Sequence, residues 1–224
     1  MAAVSRPVFL TRQPEIRFHA SPLGSARPHT VTLGVSMGGP DALARLLPAF
    51  PANFSLPVVI AQHMPAIFTM LLARHLATKC AMPVRECQPG DLLGPSSVWL
   101  ALGDYDMVVQ QDENRVRLAT HQGPRENFCR SSVDVLFRSV ADVYRANALG
   151  VILTGMGQDG LKECEALCAA GASVIVQDEG SSVVWGIPGF VARAGLAEKI
   201  LPLDQIGNEI IRRVTPQPSL QLTH

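Results

Sequence analysis

The sequence predicts an α/β protein built on a doubly wound, mostly parallel β-sheet with helices on both faces. Mostly apolar runs at residues 31–35, 58–61 and 151–153, of which the second is uninterrupted, are typical of parallel strands that helices cover on both sides. Each run is followed by a segment with apolar residues at helical spacing. Because strands alternate with helices along the chain, we expect right-handed crossover connections within one sheet.

Length and composition indicate one large domain with short tails. The chain has 224 residues, of which 47% are hydrophobic and 17% are charged, as is typical of a folded protein with a sizeable core. Residues 1–30 show no clear periodicity and are expected to form a tail or linker, in which residues 8–10 suit at most a short edge strand. Residues 31–214 form the predicted domain, and residues 215–224 form a C-terminal tail.

The charge balance and the cysteine pattern argue against several functional classes. Lys and Arg together number 19, as do Asp and Glu, so no net positive field attracts nucleic acid. No apolar run approaches the ~20 residues of a membrane span, and the N-terminus lacks the pattern of a signal peptide. The five cysteines form no Cys-x-x-Cys motif, which favours reduced thiols in a cytoplasmic protein.

Apolar periodicity predicts helices at residues 40–49, 67–78, 131–145, 161–170, 188–194 and 204–213. In the second of these helices the expected buried face consists of Ile67, Leu71, Leu72 and Leu76. Asp204 is the expected N-cap of the last helix. A further strand is predicted at residues 173–176.

Residues 81–121 differ in character from the rest of the chain. Short alternating runs at residues 97–100, 107–109 and 116–118 are separated by turn-forming sequences such as PGD, GD and DEN. Alternation interrupted by turn residues is typical of hairpins. We therefore expect an antiparallel hairpin excursion at one edge of the sheet over about 81–121.

Three of the apolar strands end in side chains with catalytic chemistry, namely Ser36, His63 and Asp159. In a doubly wound sheet, sites lie beyond the carboxyl ends of the strands. A serine hydroxyl needs a base to accept its proton, and histidine suits this role because its ordinary pKa is about 6.5. A carboxylate then orients the ring. The sequence therefore predicts a hydrolytic triad, with an oxyanion site at the backbone N–H groups of residues 37–39.

Each of these residues also has a structural explanation. Ser36 suits a helix N-cap, His63 a structural histidine at a strand end, and Asp159 a cap of the helix near residue 161. Asp134 is a rival orienting carboxylate, although a capping position explains it. The glycine-rich GVSMGG turn admits a phosphate-binding interpretation but lacks the nucleotide-binding spacing. No His, Cys or carboxylate cluster has metal-ligand spacing, so neither a metal nor a cofactor is predicted.

Residues 31–213 resemble the catalytic domain of the chemotaxis protein-glutamate methylesterases (CheB type). The resemblance lies in separate blocks, which read GVSMGG at 34–39, AQHMP at 61–65, SVDVLF at 132–137, GVILTGMGQDG at 150–160 and SSVVWGIP at 181–188. It implies hydrolysis of γ-glutamyl methyl esters on the helices of methyl-accepting chemoreceptors, with release of methanol. It also implies deamidation of receptor glutamines.

The resemblance also assigns roles to residues. It implies that Ser36 is the nucleophile, His63 the base and Asp159 the residue that orients the base. Met156 falls where the family places an oxyanion donor. Met37 and Gly38 are expected to support the same oxyanion site. Arg130, retained before the SVD sequence, is the candidate substrate-binding residue.

The sequence departs from the family pattern at several points. Met37 replaces the usual threonine after the serine, residues 102–106 replace a Pro-Gly-Asp-x-His pattern, and Ser131 replaces a proline. Residues 1–30 are too short for the usual receiver domain, so a complete chain of this kind would lack control by phosphorylation in cis. The alternative to an active enzyme is a degenerate relative that binds receptor helices without turnover. Met37 suggests this alternative because it removes a hydroxyl group next to the expected nucleophile.

Overall fold

The computed structural model describes residue 16, residues 18–19 and residues 26–215. The strand suggested at residues 8–10 and most of both predicted tails lie outside these residues. Among the described residues, no helix is both long enough and apolar enough to cross a membrane.

The strands, in chain order, are β1 (Thr30–Val35), β2 (Pro57–Gln62), β3 (Val84–Glu86), β4 (Ser97–Leu100), β5 (Asp106–Asp112), β6 (Arg115–His121), β7 (Ala148–Ile152), β8 (Ser173–Gln177) and β9 (Lys199–Leu201). The helices are α1 (Gly39–Leu46), α2 (Ala66–Ala77), α3 (Val133–Tyr144), α4 (Leu161–Ala169), α5 (Ile187–Arg193) and α6 (Leu203–Val214). Short 3₁₀ turns at Leu47–Ala49 and Arg145–Asn147 follow α1 and α3.

A parallel sheet with strand order β3-β4-β2-β1-β7-β8-β9 confirms the predicted fold class. Strand β1 is central and pairs with β2 on one side and β7 on the other. In this register Gly34 lies opposite both Ala61 and Ile152, so the three strands end at one rim of the sheet. The residues that follow these strands therefore share that rim.

The predicted hairpin excursion is confirmed for β5 and β6, which form a separate antiparallel pair. Residues 97–100 do not belong to it, because β4 pairs in parallel with β2 and β3 inside the main sheet. The hairpin packs on α3, where the Val109 N–H donates to the Ser139 hydroxyl at 3.0 Å. Its last strand leads into the loop at residues 122–132, which reaches the rim.

The predicted helices are all present, with differences at their ends, but the buried face of α2 is rotated from the one expected. Ile67 and Leu71 are 64% and 49% exposed, whereas Thr69 is buried. The cause is the turn at Gly103, which lies so close to α2 that a Cβ there would be 2.4 Å from the Cα of Ala66. The Gly103 N–H donates to the Thr69 hydroxyl at 3.1 Å, which satisfies this polar group in the interior.

The prediction that Asp204 caps α6 is wrong. The N-cap is Pro202, and no side chain of the N-cap bonds to the helix. Instead, the Leu203 N–H donates to the hydroxyl of Ser181 at 3.0 Å, so a residue distant in sequence satisfies this end of the helix.

An ion-pair cluster around Glu209 joins α6 to the edge strand β9. Its carboxylate contacts Lys199 at 3.0 Å and accepts hydrogen bonds from Arg212 and Arg213. Burial alone raises the pKa of Glu209, but the hydrogen bonds from Arg212, Arg213 and Lys199 outweigh it and lower that pKa to about 2. Because the folded pKa lies below the ordinary value of 4.5, the charge stabilises the fold above pH 4.5, and this contribution is lost as the pH falls toward 2.

We therefore expect Glu209→Gln to lower the free energy of unfolding by about 1–2 kcal/mol at pH 7. The difference from wild type should shrink as the pH falls from 4.5 toward 2. Urea denaturation across this range measures the effect, with Glu165→Gln, an exposed position on α4, as the matched control. A difference that does not change with pH would contradict the proposed contribution of the carboxylate.

Candidate active site

Ser36 lies directly after β1 in a tight turn that leads into α1. Its N–H donates to the Thr154 carbonyl at 3.0 Å, and its carbonyl accepts from the Gly39 N–H at 2.9 Å. The N-cap of α1 is Gly38, with a φ of 81° and no side-chain cap. A Cβ on Gly38 would also lie 2.7 Å from Val183. The Ser36 hydroxyl is therefore not used as a helix cap.

His63 lies after β2, and its ring bridges the other two predicted triad residues. Its Nδ1 lies 3.1 Å from the Oγ of Ser36, and its Nε2 lies 2.6 Å from the Oδ2 of Asp159. With Nε2–H donating to the carboxylate, Nδ1 is free to accept the serine proton. The structure thus brings the three predicted side chains together in the order that proton transfer requires.

The Asp159 carboxylate lies at the N-terminus of α3, although Asp159 precedes α4 in the chain. Its oxygens accept from the N–H groups of Val133 at 2.6 Å and Asp134 at 3.3 Å, and from the Ser132 hydroxyl at 2.8 Å. The partial positive charge of a helix N-terminus stabilises an anion in this position. The Ser132 hydroxyl also accepts from the Val135 N–H at 3.4 Å, so the N-cap of α3 holds the carboxylate as well.

Asp134 has the opposite arrangement: it belongs to α3 but accepts hydrogen bonds from the start of α4. It lies in the first turn of α3, but its Oδ1 accepts from the N–H groups of Gly160 at 3.0 Å and Glu163 at 3.1 Å at the start of α4. The amide of Asn127 donates to Asp134 at 2.7 Å and to Asp159 at 3.1 Å and so links the two carboxylates. Burial and the charge of Asp159 raise the pKa of Asp134 to about 6.

The ionisation of His63 and Asp159 follows from their pairing. Burial alone lowers the pKa of His63, but its hydrogen bonds to Asp159 and Cys129 and the negative charge of Asp159 outweigh this effect and raise that pKa to about 9. Burial raises the pKa of Asp159, whereas His63 and the donors of α3 lower it to a value below its usual range. The two groups therefore form an ion pair at neutral pH, and the imidazolium must release a proton before it can act as a base.

The backbone around Ser36 offers unpaired donors. Within the described part of the chain, the N–H groups of Met37, Gly38 and Met156 have no hydrogen-bond acceptor, whereas that of Gly39 is used by Ser36. The loop after β7 lies against the serine, since a Cβ on Gly155 would be 2.7 Å from the Cβ of Ser36. Met156 is the next residue in the chain after Gly155, so its N–H group lies close to Ser36.

Sequence reasoning missed three residues of the site. The Gln62 amide donates to the carbonyls of Ser36 at 2.9 Å and His63 at 3.2 Å. Its position directly before His63 in the AQHMP block could have identified it from the sequence. Asn127 and Cys129 belong to the loop at residues 122–132, which has no periodicity to mark them. The Cys129 Sγ lies 3.7 Å from the Nδ1 of His63.

Arg130 contacts the loop and not the triad. Its guanidinium donates to the Gly123 carbonyl, and its Nε is buried without a hydrogen-bond partner among the described residues. Its role in substrate binding stays a prediction.

Comparison with known proteins identifies the family of the chain. The family model described as CheB methylesterase matches residues 31–210. The chain belongs to the CheB methylesterase family. The crystal structure of the Thermotoga maritima CheB methylesterase catalytic domain is similar to it with a TM-score of 0.81 and 33% identity, covering 84% of this chain and 99% of that one.

Two longer relatives are similar to the chain over most of its length. Both are named protein-glutamate methylesterase/protein-glutamine glutaminase. The protein of Trichodesmium erythraeum is 52% identical over 82% of this chain, and that of Maricaulis maris is 46% identical over 86%. The matched regions cover 52% and 48% of these relatives, so the chain spans about half the length of these CheB-family proteins.

The pairing of His63 with Asp159 predicts a titration that NMR can follow. We expect the His63 ring of the wild type to titrate near pH 9. Asp159→Asn should lower that midpoint, because burial then acts without the opposing charge. Asp142→Asn, an exposed position on α3, serves as the control and should leave the midpoint in place. An equal midpoint in wild type and Asp159→Asn would contradict the assigned pairing.

Proposed function

We propose that the chain is a serine hydrolase that removes methyl esters from glutamyl residues of methyl-accepting chemoreceptors, with release of methanol. Deamidation of receptor glutamines follows from the same chemistry, with ammonia as the leaving group. The observation that carries the proposal is the contact of His63 with both Ser36 and Asp159. The names of the two longer relatives support the substrate class.

The first half of the reaction forms an acyl-enzyme. Neutral His63 accepts the proton of Ser36 through Nδ1 while Oγ attacks the ester carbonyl. The Asp159 carboxylate stabilises the resulting imidazolium. We assign the developing oxyanion to the free N–H groups of Met37, Gly38 and Met156. His63 then gives its proton to the departing methoxide.

The second half returns the enzyme to its starting state. Water attacks the acyl-enzyme, His63 accepts a proton from it, and Ser36 recovers its hydroxyl as the glutamate leaves. Because the pKa of His63 is about 9, the neutral fraction of the ring increases with pH up to that value, and so does the expected rate of acylation.

An exposed apolar surface next to the site supports a protein substrate. Large apolar side chains at least one third exposed lie on the segments that adjoin Ser36 and His63, which are the turn after β1, the first two turns of α2, and the loops at residues 122–132, 153–160 and 178–186. They include Met37, Ile67, Phe68, Leu71, Phe128, Met156 and Val183. We define these residues as the apolar rim. Exposed apolar patches are typical of surfaces that contact proteins. We propose that the apolar rim packs against receptor helices, with Arg130 as the candidate polar contact.

The alternative of a binding module without turnover rests on Met37. Its side chain is 52% exposed, and the contact of Ser36 with His63 is formed beside it. We therefore favour turnover. Rapid labelling of Ser36 by a fluorophosphonate would support this choice, whereas receptor binding without labelling would support the degenerate module.

Ser36→Ala tests the assigned nucleophile. We expect methanol release from a methylated receptor to fall by about 10³-fold or more, because no other group replaces the attacking oxygen. Thr78→Ala removes an exposed hydroxyl at the end of α2 and should release methanol at the wild-type rate. Equal release by wild type and Ser36→Ala would refute the role of Ser36.

Leu71→Ser tests the apolar rim. Loss of one buried leucine contact should raise KM for the methylated receptor by about 10-fold. The rate of fluorophosphonate labelling should not change, since that reagent does not need the rim. Leu92→Ser is the matched control, because Leu92 is 44% exposed beside the hairpin and outside the rim. An unchanged KM in Leu71→Ser would remove this part of the rim from the receptor contact.

A further inference from the structure

Cys129 lies next to the proposed base and has no part in the mechanism above. Its Sγ is 3.7 Å from the Nδ1 of His63, the same nitrogen that lies 3.1 Å from the Oγ of Ser36. A neutral imidazole nitrogen has one lone pair, so the thiol and the hydroxyl compete for it. The thiol also lies 3.4 Å from the Asn127 carbonyl, which keeps it on this side of the ring.

These separations match those of zinc ligands. With Zn–N at about 2.0–2.1 Å and Zn–S at about 2.3 Å, tetrahedral geometry places the two donor atoms about 3.6 Å apart. The observed distance from Sγ to Nδ1 is 3.7 Å. An oxygen ligand at about 2.0 Å would lie about 3.3 Å from the nitrogen. The Ser36 Oγ lies 3.1 Å from it.

The environment of the ring also suits a metal ligand. Imidazoles that bind metals usually donate their other N–H to a carboxylate. The Nε2 of His63 lies 2.6 Å from Asp159, which leaves Nδ1 as the coordinating atom. Donor atoms of His63, Cys129 and Asp159 all lie within 4.8 Å of one another. Cys129 is in no disulfide, and both it and His63 are partly exposed, so a cation has access.

We propose that Cys129 and His63 form a binding site for a thiophilic divalent cation such as Zn²⁺, and that this cation inhibits the enzyme. On binding, the S–H bond of Cys129 and the Nδ1–H bond of the His63 imidazolium break, both protons go to solvent, and metal–sulfur and metal–nitrogen bonds form. The lone pair of Nδ1 binds the metal and can no longer accept the proton of Ser36. The Ser36 hydroxyl and water, or two waters, complete the four-coordinate site. Hard cations such as Mg²⁺ prefer oxygen ligands and should not compete.

Titration of the full chain with Co²⁺ tests the site without reference to activity. A cobalt–thiolate bond gives a charge-transfer absorption in the near ultraviolet, and we expect it to saturate at one equivalent in the wild type. Cys129→Ser should lack this absorption. Cys168→Ser should keep it, because this half-buried cysteine of α4 only donates to the Leu196 carbonyl, which a serine can also do. Absence of the band in the wild type, or its presence in Cys129→Ser, would overturn the site.

The second measurement is inhibition by ZnCl₂, which rests on the proposed function. Each variant is compared with its own rate of methanol release in the absence of zinc, and a chelator should restore that rate. Cys129→Ser should raise the zinc concentration for half-inhibition by at least about 10- to 100-fold, the range that loss of an outer-shell partner already produces. Cys168→Ser should match the wild type. Equal zinc sensitivity in wild type and Cys129→Ser would overturn the inhibitory role.

The two measurements separate the two proposals. A cobalt band that depends on Cys129, in a chain that releases no methanol, supports the metal site and contradicts the proposed function.

Discussion

The position of His63 depends on the Asp159 carboxylate, which the N-terminus of α3 holds in place. A buried carboxylate is strongly disfavoured unless donors satisfy it. Here peptide N–H groups and the Ser132 hydroxyl surround an aspartate whose side chain is only 2% exposed. The helix itself is fixed against β1, since a Cβ on Gly34 would lie 2.4 Å from the side chain of Val133. The contact between Gly34 and Val133 therefore fixes β1, which positions Ser36, against the start of α3, which holds the Asp159 carboxylate.

The two helices that flank this contact exchange their carboxylates. Asp159, before α4, satisfies the start of α3, and Asp134, within α3, satisfies the start of α4. This arrangement brings two carboxylates together, and burial, with the charge of Asp159 as a second cause, raises the pKa of Asp134. The Asn127 amide offsets it by donating to both. A change at any of the three residues therefore acts on the orientation of His63, although only Asp159 contacts it.

Local rules were sufficient to predict the sheet and to place Ser36, His63 and Asp159 at its rim. Each follows an apolar strand, and parallel strands end on the same side, so no knowledge of contacts was needed. Cys129 was not predicted because it reaches His63 from a loop, and only the folded chain brings them together. The buried face of α2 was mispredicted for a related reason. The partner that satisfies Thr69 is a turn far along the chain, which periodicity does not register.

Two of the departures from the family pattern, Ser131 and Asp106, are linked in the folded chain. Ser131 stands where the pattern has proline, and its hydroxyl donates to the carbonyl of Leu102 at 2.9 Å. Asp106 stands where the pattern has histidine, and its carboxylate accepts from the Ser132 N–H at 2.8 Å. Both bonds join the 102–106 turn to the start of α3, the end of the helix that holds Asp159. Because each substituted residue bonds to the other segment, the altered positions support the same helix end, and the contacts of His63 are formed despite them.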